Sequence, residues 1–134
     1  MSTVSLIQYE DASPEVKAVF DDIMQTRGID DVNHFWKALA HHPELLKRTW
    51  EQLKVVMAPG ALDPLTKEMI YIAVSIANNC EYCIHSHTAS ARAKGMTEAQ
   101  YQELLAVVSM AHFTNALASG MKVPVDAAFD AGQS

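Results

Sequence analysis

The residues best suited to chemistry lie in the stretch Asn79-Cys80-Glu81-Tyr82-Cys83-Ile84-His85-Ser86-His87, which holds the only two cysteines of the chain. In a helix, Cys80, Cys83 and His87 fall at i, i+3 and i+7, on one face. Two thiols and an imidazole on one stripe have three readings. The first is a redox dithiol. A helix starting near Cys80 puts both sulfurs in its first turn, where unpaired N–H groups and the helix dipole favour a thiolate, the reactive form of cysteine. The two-residue gap brings the sulfurs within disulfide reach, and His87, one turn beyond Cys83, can take the thiol proton. The second reading is a metal site made of Cys80, Cys83, His87 and either Glu68 or His85. Zinc accepts those atoms, but structural zinc sites usually draw on a second Cys/His pair, which this chain lacks. The third is plain packing of two small apolar side chains. That suits isolated cysteines better than a pair sharing a turn with a histidine.

A carboxylate points toward the same place. Residues 64–78 read as a helix apolar nearly all round, as for a central buried element. A narrow polar strip interrupts it: Glu68, Tyr71, Ser75 and Asn79, at steps of three, four and four, ending just before Cys80. A half-buried acid there is expected to have a raised pKa suited to proton transfer. The competing reading has Glu68 pointing at solvent from the first turn, favoured by the dipole.

The elements that must position these groups are all helical. Ser13-Pro14, Pro43 and Asp63-Pro64 are helix starts, Gly28 and Lys94-Gly95 are stops, and Thr97 with Gln100 is a capping box. Asp30 or Asp31 is expected to cap a second helix with Phe35, Trp36, Leu39 and Ala40 as its apolar face. A sixth helix carries Leu104, Leu105, Val107, Val108, Met110 and Ala111 to about residue 119, and residues 122–134 read as a loosely attached tail. No stretch alternates as a strand does. An all-α bundle of about six helices in one domain, 1–134, follows.

Composition narrows the function classes. Of 134 residues, 49 % are hydrophobic and 19 % charged, which suits a globular chain. A net charge of −6 argues against nucleic acid. Neither a secretory leader nor an apolar run of membrane-spanning length is visible, the longest candidate being 69–77, so a cytoplasmic protein is expected. In that compartment a close cysteine pair is more often catalytic or metal-binding than a permanent staple. The apolar last helix predicts a homo-oligomer. His34, His41 and His42 flank the second and third helices, with His41-His42 expected to cap or flank the third. His85 lies off the Cys/His stripe, and His112 is expected in the core or an interface. Trp36, Trp50 and Phe35 are expected to pack.

Glu68, eleven residues, then Cys80-x-x-Cys83-x-x-x-His87 resembles the core motif of the alkylhydroperoxidase D-like proteins in the carboxymuconolactone decarboxylase superfamily. The surroundings agree: Ala38-Leu39-Ala40-His41-His42-Pro43-Glu44-Leu45-Leu46, then Leu65-Thr66-Lys67-Glu68, then His87-Thr88 and Lys94-Gly95. The likeness spans about residues 33–119. It implies a helical subunit assembling as a homotrimer or homohexamer, with peroxidase or dithiol oxidoreductase activity and no bound metal or other cofactor. By the same resemblance Cys83 would attack the peroxide and Cys80 would resolve it to a redox-active Cys80–Cys83 disulfide. Glu68 and His87, with a bridging water, would relay protons, and a lipoyl or thioredoxin-like partner would supply electrons. Tyr82 departs from the best-studied members, which carry histidine between the cysteines. A lyase role is the weaker analogy, because the decarboxylase branch lacks the paired cysteines. From a different class comes a non-enzymatic redox-sensing subunit switched by the disulfide.

Overall fold

Cap-plus-proline signals start three of the helices in the computed structural model, which describes residues 1–129 and Gly132. Among the described residues the chain is all helical: α1 (Pro14–Arg27), α2 (His34–Leu39), α3 (Pro43–Met57), α4 (Pro64–Ala77), α5 (Glu81–Ala93) and α6 (Glu98–Met121), with short 3-10 turns at Tyr9–Asp11 and Ala127–Phe129. Of the expected tail, Asp130, Ala131, Gln133 and Ser134 lie outside the described residues. The helices group into two compact units, Met1–Ala58 and Pro59–Ser134.

In the first unit α3 packs on α1 and α2. Ser13 caps α1, whose Val16, Val19, Phe20 and Ile23 are buried, and Gly28 closes it at φ 64°. These residues form one apolar cluster with Val32, Trp36, Ala40, Leu46 and Trp50. His42 Nδ1 accepts from the Leu45 amide at 3.1 Å, so His42 caps α3 as expected. Two sequence readings are corrected. Asn33, not Asp30 or Asp31, is the N-cap residue of α2. Asp31 instead accepts at 2.6 Å from Lys37, a buried ammonium that must find a carboxylate. Phe35 lies exposed, its ring edge-on to Trp36 at 5.0 Å.

In the second unit α4 packs on α5 and α6. Asp63 accepts from the Thr66 amide and hydroxyl, both at 2.9 Å, which starts α4. Two matching turns then set the direction of α5. Asn79 is left-handed at φ 59°, the Cys80 amide donates to Ser75 O, and the Asn79 amide donates to Ile76 O. Gly95, at φ 99°, repeats this at the other end, with Met96 donating to Ala91 O and Gly95 to Arg92 O. Both are Schellman closures. A left-handed backbone costs an ordinary L-residue about 1–2 kcal/mol, and asparagine is among the few that bear it well. Asn79 therefore does more than extend a polar strip. It makes Cys80 at once the last residue of one turn and the first cap of the next helix.

The core of this unit is thin: Ile72, Ala91 and Met96, with Leu65, Met69, Ile76, Tyr101 and Leu104 against them. The expectation that α4 is buried all round is corrected, for Ile70, Tyr71 and Val74 are exposed. On α6 only Val108 is buried, while Val107, Met110, Phe113, Leu117 and Met121 face outward, and His112 is exposed rather than in a core. By length and composition alone α6 could cross a membrane. Sequence reading missed this because Ser109, His112, Thr114, Asn115 and Ser119 break the apolar run into short pieces.

Candidate active site

Cys80 is the N-cap of α5, and its sulfur accepts from the Cys83 amide at 3.3 Å. The two sulfurs are joined as a disulfide, with the Cα atoms 5.2 Å apart. Both cysteines are half-buried, whereas Tyr82 between them is exposed. From this cap a stripe runs down α5 at steps of three, four, three and four: Cys80, Cys83, His87, Ser90 and Lys94. Sequence reading followed it only as far as His87.

The facing strip of α4 meets it. Glu68, whose side chain is 6 % exposed, takes three donors from α5 and its C-cap residue. The His87 ring nitrogen Nδ1 lies 2.7 Å from Oε2, Ser90 Oγ donates to Oε1 at 2.8 Å, and Lys94 Nζ donates to Oε1 at 3.2 Å. Lys94 also donates to Ser90 Oγ at 2.7 Å. One turn along α4, the Tyr71 ring stacks on His87, with centroids 3.6 Å apart and planes 20° apart. The next strip residue, Ser75, donates to Tyr71 O at 2.7 Å.

These contacts decide two questions left open by the sequence. Glu68 is buried against α5 and does not point at solvent. Its pKa is also not raised: burial pushes the carboxyl up, but the hydrogen bonds from His87, Ser90 and Lys94 outweigh that and hold it below the ordinary 4.5. Glu68 is therefore an anion at neutral pH, an acceptor that orients its partners and not a store of protons. Its contact with His87 is direct. A carboxylate only accepts, so Nδ1–H is directed at it, which leaves Nε2 as the ring nitrogen that can exchange a proton. Cys83 precedes His87 by one turn on the same face, a spacing of about 5–6 Å between Cβ atoms.

Among the described residues, no three His, Cys, Asp or Glu side chains are grouped so as to hold a metal ion. Of the other histidines, His85 and His34 are exposed, and His41 Nε2 lies 2.8 Å from Ser5 O. The structure thus pairs Glu68 of α4 with His87 and joins Cys80 to Cys83, with His87 and both cysteines on one stripe of α5. Tyr71, Ser90 and Lys94 are the additions. Tyr71 was visible as part of the strip, and Ser90 and Lys94 were visible in principle, as the continuation of the cysteine stripe at the same period.

A profile described as the carboxymuconolactone decarboxylase family matches residues 43–126. The chain is 62 % identical to a solved structure titled alkylhydroperoxidase AhpD core from Rhodospirillum rubrum, with a TM-score of 0.92, covering 96 % of this chain and 97 % of that one. It is 43 % identical over 56 residues to "Uncharacterized protein 4 in cox locus" from Paracoccus denitrificans, covering 42 % of this chain and 50 % of that protein. It is 27 % identical over 99 residues to alkyl hydroperoxide reductase AhpD from Solibacter usitatus, covering 74 % of this chain and 54 % of that protein. The chain thus spans about half the length of the curated relatives it matches.

Proposed function

The chain belongs to the carboxymuconolactone decarboxylase family, on its alkylhydroperoxidase D-like side, and from that premise we propose that it is a cytoplasmic dithiol peroxidase reducing hydroperoxides. The observation that carries this reading is the joined Cys80–Cys83 pair at the start of α5, one turn from an imidazole oriented by a buried carboxylate.

The reaction starts from the reduced pair. His87 Nε2 takes the Cys83 thiol proton, and the thiolate attacks the outer oxygen of the peroxide. The O–O bond breaks, the alcohol leaves with the proton returned by His87, and Cys83 becomes a sulfenic acid. The Cys80 sulfur attacks that sulfenic sulfur, water leaves, and the disulfide forms. Cys80 suits this step, because its sulfur sits where the Cys83 amide and the helix dipole support negative charge. An external dithiol, carried by a lipoyl or thioredoxin-like protein, then reduces the disulfide and is itself oxidised. Glu68 acts throughout by holding the His87 tautomer. Two sulfurs joined to each other are better suited to this cycle than to lactone decarboxylation.

The test is a thiol titration followed by mass spectrometry. In the reduced protein both cysteines should take an alkylating label, and in reduced protein first treated for minutes with one equivalent of hydroperoxide neither should take it. Labelling unchanged by peroxide would overturn the reading.

The thin core of the second unit and the outward apolar row on α6 support assembly as a homotrimer or homohexamer, since a row of that size on a monomer is unusual. Light scattering at micromolar protein should give three or six times the chain mass, and a monomer mass would contradict it.

A further inference from the structure

Glu68 has two oxygens and three donors, and the two sides of the carboxylate do different work. Oε2 is given to His87, while Oε1 is shared by Ser90 and Lys94. Lys94 is anchored twice, to the carboxylate at 3.2 Å and to the Ser90 hydroxyl at 2.7 Å. The Lys94 side chain is 39 % exposed and that of Glu68 only 6 %, so a solvated ammonium reaches inward to a desolvated anion. An unpaired carboxylate in that position would draw a second proton onto the imidazole.

We infer that Lys94 is a positioning residue of this site, neutralising Glu68 so that His87 stays an uncharged base. This rests on the dithiol chemistry proposed above, in which His87 Nε2 must accept the thiol proton. The other groups about the imidazole do not take over that role. From α4 the neutral Tyr71 ring covers its face, and on α5 itself the cysteines are joined. From α6 the Glu98 carboxylate meets Arg92 at 3.4 Å. Ser90, donating to Glu68 while accepting from Lys94, is the bridge that holds the ammonium in register.

The test uses the full chain in its oxidised form and reads the His87 ring protons by NMR against pH, assigned by their loss in His87→Asn. In Lys94→Met the midpoint is expected to rise by about 0.5–1 pH unit, because the carboxylate then favours imidazolium, and Lys94→Arg should return most of that rise. The acid limb of the pH–rate profile for peroxide consumption should move by the same amount. A midpoint unmoved or lowered in Lys94→Met, or no recovery in Lys94→Arg, would overturn the assignment, since a merely structural role gives neither the rise nor its recovery. The titration needs no turnover. A wild-type protein inert toward peroxide would therefore sink the peroxidase reading while leaving this coupling measurable.

Discussion

Cys83→Ser is expected to abolish peroxide consumption, with a fall on the order of 10³-fold or more, because it removes the sulfur placed one turn from the His87 base. Cys80→Ser should behave differently. The first equivalent of peroxide is still consumed, since Cys83 and His87 remain, but no partner sulfur resolves the product. A sulfenic acid then accumulates on Cys83, trapped by a dimedone-type reagent, and steady-state turnover with an added dithiol drops. The asymmetry is the diagnostic part. If the two variants lose activity equally at the first turnover, the roles of the sulfurs are wrong, and if both keep full activity, the dithiol mechanism fails.

Glu68→Gln should have the second-largest effect, on both rate and stability. Glutamine is similar in shape, but it has no charge to hold Lys94 and a weaker acceptor for the His87 N–H. Loss of base orientation is expected to cost about 10²–10⁴-fold in the thiol-oxidation rate. Leaving the donors about Glu68 poorly matched in a largely buried site should destabilise the fold by about 1–3 kcal/mol at neutral pH. The pH dependence has a definite sign. The folded protein holds this carboxyl below the ordinary 4.5, so its contribution is complete above that value and is lost as pH falls through the lowered folded one. The stability gap between wild type and Glu68→Gln in denaturant titrations should therefore be full at pH 7 and shrink below about 4.5. Asp22, held low first by Lys54, Asp31, held low first by Lys37, and Asp63, held low first by the Thr66 amide, follow the same sign. They are present in both proteins and cancel in the difference. A gap constant from neutral to acid pH would show that Glu68 is not held as an anion.

Much of the site was legible before any coordinates because its spacing is local. Cys80, Cys83 and His87 share a face through helical periodicity alone, and Ser13, His42, Asp63 and Thr97 mark helix starts through the hydrogen bonds their own side chains make. Asp31 shows where that reasoning stops. It has the type of a cap but a stronger claim from the buried Lys37, several residues along and brought to it by folding. Asn79 is the reverse case. Its identity suits a left-handed turn, yet among polar strip residues nothing marked it as the joint between two helices.

The sequence by itself determined the all-α class, the helix boundaries to within about three residues, and the dithiol stripe with its imidazole, because these depend on interactions within a few residues along the chain. Only the tertiary structure decided the charge of Glu68, the stacking of Tyr71 on His87, the recruitment of Ser90 and Lys94, and which sides of α4 and α6 stay uncovered. Each of those depends on a partner from another helix. Glu68 makes the reason plain: burial alone would raise its pKa, and three donors on α5 and its C-cap residue reverse the sign.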